Sequence, residues 1–300
     1  MTADIQYRQG TSRALFAQTK ALLRRFDLNI RKSLGQHFLI DSEALATVVL
    51  AAELTVNDII IEVGPGLGVL TRELAERAGG VVAIELDNRL ATILEKDLAV
   101  KKNVIVINED ILKINPAVLL AENTDGVLAQ KKKTTGYKVV ANLPYYITSA
   151  VLRHFLEASA KPRLMVIMLQ KEVAESIVAK PGDMSLLSVS IQFYGKPEII
   201  SYIPAASFYP APEVDSVILK IDVYTQTPIQ VDDINDFFEL VRAGFCAPRK
   251  QLVNSLVQGM DIDKSEVKSL LDSACIDYKR RAATLSLAEW QRLWQVFKGK

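Results

Sequence analysis

Sulfur and imidazole are scarce in this chain. Two cysteines, Cys246 and Cys275, form no C-x-x-C pair, and two histidines, His37 and His154, lie far apart. Neither a disulfide framework nor a Cys/His metal cluster has its ligands, so no metal is expected. Charge of one sign is also missing: 36 Lys and Arg against 35 Asp and Glu leave a formal +1. That excludes a bulk polycation and confines any nucleic-acid contact to a local basic face. The longest apolar run, around Ala44 to Ala52, is far short of the ~20 residues that span a bilayer. Asp4 and Arg8 precede any apolar stretch, so no leader or membrane partner is expected and the chain reads as soluble and cytoplasmic. No internal repeat or low-complexity tract is evident.

What is present is an ordinary globular composition, 49% hydrophobic over 300 residues, about two domains at ~100–200 residues each. The first thirty residues carry a basic excess, including Arg13, Lys20, Arg24 and Arg25, on a segment with intermittent helical periodicity. Short continuous apolar runs follow at 59–63, 81–84, 104–107, 139–141 and 164–169, with helical patterns between them at 67–77, 89–98, 149–158 and 171–179. Buried runs alternating with helices predict β-α-β units and a parallel sheet. The basic, Gly-punctuated segment 123–138, with Lys131–Lys133, predicts a surface loop. After the proline turns at Pro204, Pro210 and Pro212 comes one more strand, 216–223, and then only helical patterns at 234–245, 249–257, 265–274 and 287–297. The expected organisation is an α/β domain over 1–223 and a small all-helical domain over 224–300.

The chemistry sits at the carboxyl ends of the apolar runs. Ile59-Ile60-Ile61-Glu62-Val63 enters Gly64-Pro65-Gly66-Leu67-Gly68, a strand running into a glycine turn and then a helix, the place where open α/β sheets bind ligands. Glu85 ends the next run, where an acid can hold two ribose hydroxyls, and Asn108-Glu109-Asp110 ends the third. A dinucleotide fingerprint would want a third glycine where Val69 stands, and Pro65 lacks an amide for a phosphate cradle. The turn therefore suits a ligand without pyrophosphate, and S-adenosylmethionine is such a ligand. A nicotinamide oxidoreductase is the competing class.

Asn142-Leu143-Pro144-Tyr145 directly follows the run 139–141. An exocyclic adenine amine is a poor nucleophile because its lone pair is delocalised into the ring. Two acceptors on its N–H groups, the Asn142 side-chain oxygen and the Leu143 carbonyl, would favour the form whose lone pair faces a sulfonium methyl. Pro144 fixes the carbonyl's direction and Tyr145 offers a stacking ring. Taken alone, the tetrapeptide could equally be a polar strand-to-helix turn with Tyr145 as a core aromatic.

Together these segments resemble the ribosomal RNA adenine dimethyltransferases, which modify two adjacent adenosines near the end of small-subunit (16S) rRNA. The resemblance runs from about Lys32 to near Leu256. It rests on Lys32-Ser33-Leu34-Gly35-Gln36-His37-Phe38-Leu39, the glycine turn, Glu85-Leu86-Asp87, Asp110-Ile111-Leu112 and Asn142-Leu143-Pro144-Tyr145-Tyr146. It continues through 208–216, beginning Phe208-Tyr209-Pro210, and Arg249-Lys250-Gln251-Leu252. The resemblance implies a Rossmann-like class I S-adenosylmethionine-dependent methyltransferase domain with seven strands. It also implies that His37 and Leu39 close over the donor, that Gly64, Glu85 and Asp110 bind it, that Asn142 serves both donor and target, and that Phe208 stacks on the flipped adenine opposite Tyr145.

The implied substrate is small-subunit rRNA within an immature 30S subunit, with a monomer as the default state. The basic N-terminal segment, Lys131–Lys133, Arg249-Lys250 and Lys279-Arg280-Arg281 are candidate phosphate contacts, although each run singly is more often a solvated face. Competing functions are a large-subunit rRNA adenine methylase, a ribosome-assembly factor that acts mainly by binding RNA, and DNA adenine methylation.

Overall fold

The computed structural model describes residues 2–31, 34–122 and 136–299, the first ten of these as backbone alone. Lys32, Ser33 and the basic run Lys131–Lys133 lie outside the described residues. Two compact units emerge, Met1–Ala174 with Glu198–Val223, and Glu175–Pro197 with Tyr224–Lys300.

In the first unit, α1 (Thr2–Arg25), β1 (Phe38–Leu39) and α2 (Ser42–Ala51) lead into β2 (Ile59–Val63), α3 (Val69–Arg77), β3 (Gly80–Glu85), α4 (Asn88–Asp97) and β4 (Val104–Asn108). Then come α5 (Pro116–Glu122), β5 (Tyr137–Asn142), α6 (Thr148–Glu157), β6 (Leu164–Gln170) and α7 (Lys171–Ile177); the chain passes through the second unit as α8 (Leu186–Tyr194) and returns to the first along β7 (Gly195–Ile203), β8 (Phe208–Tyr209) and β9 (Ser216–Val223). One sheet of seven strands has the order β4-β3-β2-β5-β6-β9-β7. All five residues of β2 and all six of β3 are buried, as expected for strands covered by helices on both faces.

Pairing from β4 across to β6 is parallel, but β9 runs antiparallel to β6, Leu164 facing Asp222 and Gln170 facing Ser216. The β-α-β runs expected to form a parallel sheet do so from β4 to β6, and the last strand, β9, whose direction the sequence left open, makes the sheet mixed. Order reverses at β2, which has β3 on one side and β5 on the other, so the crevice above their carboxyl ends is the topological switch point.

At the opposite end of the sheet the chain locks an ion pair. Asp58, just before β2, meets the Lys138 ammonium of β5 at 3.0 Å and the Arg163 guanidinium, and Lys138, 3% exposed, also donates to the Ala52 carbonyl at 2.7 Å. Burial opposes ionisation of Asp58, yet the Thr55 amide, Lys138 and Arg163 outweigh it and hold its carboxyl below the usual range.

The second unit adds α9 (Ile234–Phe245), α10 (Leu252–Met260), α11 (Lys264–Ser273) and α12 (Leu287–Lys298) to α8. Phe193, on α8, stacks on Phe237 at 5.5 Å and meets Phe238 edge-on at 5.2 Å. That packing gathers Glu175–Pro197 with the helices, although the sequence placed this stretch in the first domain. Ser286 and Glu289 form a capping box at α12, and Arg280 pairs with Glu289, which draws that carboxyl down to about 2.

Candidate active site

A cleft of about 1080 Å³, counted out to open solvent, lies over the carboxyl ends of β2, β3 and β5. Its floor is the glycine turn. Gly64, Gly66 and Gly68 all have positive φ, +69°, +57° and +76°, a region where side chains are strained. A Cβ on Gly66 would press on the Phe38 ring at 3.2 Å, and one on Gly68 would overlap Leu94 at 2.4 Å. The three glycine amides are all consumed internally: Gly64 donates to the Ile84 carbonyl, Gly66 to Glu85 Oε2 at 3.0 Å and Gly68 to the Pro65 carbonyl. With Pro65 lacking an N–H as well, these residues offer no amide cradle for a pyrophosphate, which disfavours the nicotinamide alternative.

Acids line one wall. Glu85 bridges the turn and the start of α4, accepting from Gly66 and, through Oε1, from the Asp87 amide at 2.8 Å. Burial pushes its carboxyl above the ordinary value, partly offset by those amides. Asp87 caps α4 and accepts from Gln36 Nε2 at 3.1 Å, tying the Gln36–His37 lead-in to the same wall. Asp110, two residues beyond β4, caps a short 3-10 turn by accepting from the Leu112 amide at 3.0 Å. Glu85 and Asp110 both line the cleft, on adjacent strands 85 and 108 being paired in register.

Glu62 is a site residue that sequence reasoning missed, having absorbed it into a buried strand. It is 1% exposed, lines the cleft, and its Oε2 has no hydrogen-bond partner among the described residues. Burial pushes this carboxyl up to about 8, with the Glu85 charge adding to the effect and Thr71 and Arg72 on α3 opposing it. The available signal was an acid inside Ile-Ile-Ile-Glu-Val, where the strand period calls for a hydrophobe.

On the opposite wall, β5 delivers Asn142, whose Nδ2 donates to the His37 carbonyl at 2.9 Å. The amide is thereby oriented and Oδ1 is left as its acceptor end. The backbone at Leu143 donates to Met168 at 3.2 Å, while the Leu143 side chain is buried. Tyr145 hydrogen-bonds Ser216 at 2.8 Å and stacks on the His37 ring at 5.8 Å between centroids. Burial raises the Tyr145 phenol above its ordinary value, so it stays protonated and is no base. His37 Nδ1–H donates to the Pro210 carbonyl at 2.7 Å.

His37, Leu39, Gly64, Glu85, Asp110, Asn142, Leu143 and Tyr145 all line this one cleft. Phe208 does not: its ring is 2% exposed, in a core cluster with Leu39, Val48 and Ile218, and its backbone pairs with Leu39. Of the basic candidates in the second unit, Arg249, Lys250, Lys279 and Arg281 are exposed, whereas Arg280 is committed to Glu289 and Thr284. No described helix is long and apolar enough to cross a membrane, and no described group of three His, Cys, Asp or Glu is placed to hold a metal.

The family model described as "Ribosomal RNA adenine dimethylase" matches residues 27–292. A relative from Dehalococcoides mccartyi named "Ribosomal RNA small subunit methyltransferase A" is 50% identical over 95% of this chain and 94% of its own length. One of the same name from Alkaliphilus metalliredigens is 40% identical over 92% of this chain and 95% of its own length. Among solved structures, the 23S rRNA methyltransferase ErmE matches with a TM-score of 0.67 at 27% identity, covering 87% of this chain and 99% of that one. A dimethyladenosine transferase from Plasmodium falciparum, at TM-score 0.72 and 22% identity over 88% of this chain and 98% of that one, shares the fold.

Proposed function

The chain belongs to the ribosomal RNA adenine dimethylase family, and on that premise we propose that it transfers methyl groups from S-adenosylmethionine to the N6 amines of two adjacent adenosines in small-subunit (16S) rRNA. The observation that carries this is the Asn142 amide, fixed through Nδ2 on the His37 carbonyl so that Oδ1 is its acceptor end beside the glycine turn. Support for the small-subunit target comes from relatives at 50% and 40% identity that bear the small-subunit name, against 27% for the solved 23S enzyme.

The donor supplies an electrophilic methyl on a sulfonium. The site's features fit such a molecule: a floor without side chains at Gly64 and Gly66, acids at Glu85 and Asp110 for the ribose and adenine, and an orphaned carboxyl oxygen on Glu62. Leu39 and His37 line the cleft on the lead-in side and would close over the donor.

For the target, Asn142 Oδ1 and the Leu143 carbonyl accept the two N6 hydrogens and turn the lone pair toward the methyl. The Tyr145 ring backs the flipped base, compensating part of the few kcal/mol that unstacking costs. Phe208 would form the second stacking face only after its ring leaves the core. No side-chain base is required, because the amine sheds its proton after in-line transfer. Arg249, Lys250, Lys279 and Arg281 are offered as phosphate contacts. The wider setting proposed is a monomer acting on immature 30S subunits in the cytoplasm.

Transfer of labelled methyl to small subunits isolated without this modification tests the proposal. The expected product is dimethyladenosine at two adjacent positions, lost with Asn142→Ala. Binding to subunits without methyl incorporation would instead favour an assembly factor.

A further inference from the structure

Two buried acids stand near the two ends of β2, Asp58 just before it and Glu62 within it, and the chain treats them differently. Asp58 has Lys138 and Arg163. Glu62 has no cation at hydrogen-bonding distance among the described residues, although it is as enclosed as the core hydrophobes around it. Its strand neighbours in register, Ala83 on β3 and Val140 on β5, are apolar. The charged and titratable groups around it are Glu85 from β3, Arg72 from α3 beside Thr71, and, along the cleft, Glu109, Asp110, His37 and Tyr145. The Thr71 hydroxyl is close enough to act on this carboxyl and lower its pKa, yet neither Thr71 Oγ1 nor Glu62 Oε2 completes a hydrogen bond among the described residues. A leucine would serve the core better than a carboxyl with an open oxygen, which costs about 1–3 kcal/mol or more when left unsatisfied. An unpaired acid at the floor of a cleft marks where a cation is missing from the protein and is brought by the ligand.

We propose that Glu62 is the proton-coupled counter-charge of the donor site: neutral in the free protein, it ionises when a positively charged ligand enters, so that donor binding expels one proton. This rests on the donor-site assignment above. In the step, the Glu62 O–H bond breaks, the proton passes through the cleft to solvent or buffer, and the carboxylate remains against the ligand's positive charge. Acid conditions then weaken donor binding through Glu62 itself, without unfolding the site.

The sign follows from linkage. The burial that pushes this carboxyl up to about 8 makes the free protein hold the proton at pH 7. A bound cation lowers that value, so donor affinity rises with pH and levels off above about 8, by at most about tenfold per unit. Glu85, also raised by burial, is the competing source of a proton, and the Glu62→Gln variant separates the two because it removes only one of them.

The test is calorimetry of S-adenosylmethionine binding, without RNA, at pH 7 in two buffers of different ionisation enthalpy. Expected is release of close to one proton per donor by the wild type and near none by Glu62→Gln, whose donor affinity is also flat between pH 6 and 8. Equal release by both proteins, or none by the wild type, overturns the proposal and leaves the donor site intact. Absence of any donor binding by the wild type would overturn the donor-site assignment as well. S-adenosylhomocysteine, which keeps the ammonium but lacks the sulfonium, identifies the charge: undiminished release assigns the ammonium, and loss of release assigns the sulfonium. The wild-type measurement stands without the variant, so a Glu62→Gln protein that failed to fold would still leave the proposal open to refutation.

Discussion

The two ends of the central sheet face opposite electrostatic problems. At the amino end, Asp58, Lys138 and Arg163 neutralise one another, and the Lys138 ammonium is further satisfied by the carbonyls of Ala52 and Glu53. At the carboxyl end, Glu62 and Glu85 are buried with no cation bonded to either among the described residues, and both carboxyls are pushed up. Asp58 is pulled down by its partners although burial acts on it in the same sense. One end is closed by cations of its own chain, and the other leaves its two carboxyls without one among the described residues. Burial of an acid is therefore not itself a sign of function. The sign is burial without a partner at a switch point.

Breaking the closed end should have the largest effect on stability. Lys138→Met leaves Asp58 with the Thr55 amide and one cation, Arg163, at the amino end of the sheet and should cost about 3–5 kcal/mol in denaturant unfolding, with methyl-donor affinity of the folded protein unchanged. Phe208→Ala should cost a similar ~3–5 kcal/mol, because it empties a core position. Tyr145→Ala, at the open end, should instead raise the KM for RNA by the ~1–3 kcal/mol of one base stack. Should Phe208→Ala leave stability untouched and change only RNA kinetics, its ring belongs to the site and not to the core.

Asn142→Ala should lower methyl transfer on the order of a hundredfold with little change in melting temperature. The smallest effect sharpens the comparison through pH. Asp58, whose folded value is lowered, contributes stability above the ordinary carboxylate range that is lost as pH falls through its folded value. Glu62 has the reverse sign: raised to about 8, it costs stability progressively as pH climbs from the ordinary value of 4.5 toward 8. Unfolding free energies at pH 5 and pH 8 should therefore fall less with pH in Glu62→Gln than in wild type.

Much of this was legible in the chain itself. Strands β2 to β6 and β9 announce themselves as apolar runs, and the residues proposed to serve a donor and an amine stand at their carboxyl ends, from Gly64 through Glu85 and Asp110 to Asn142, all lining one cleft. β7 was not legible because Gly195-Lys196-Pro197-Glu198 opens it, a polar start with a proline that suits a sheet edge. Nor was α8, where Ser188, Ser190 and Gln192 alternate with apolar residues at a strand-like period of two and the Ser185 capping box starts a helix instead. The burial of Phe208 depends on its pairing with Leu39, 169 positions earlier in the chain, which no local pattern encodes. Antiparallel β9 follows from connectivity that periodicity does not report.

The most direct measurement is the dissociation constant of S-adenosylmethionine for Glu85→Gln and Lys138→Met, compared with wild type at a temperature where all three are folded. A functional carboxyl end and a structural amino end predict donor binding weakened at least about tenfold, one hydrogen-bonded charge at ~1.5–3 kcal/mol, in Glu85→Gln and unchanged in Lys138→Met. Donor binding lost in Lys138→Met and retained in Glu85→Gln would contradict the division between the two ends.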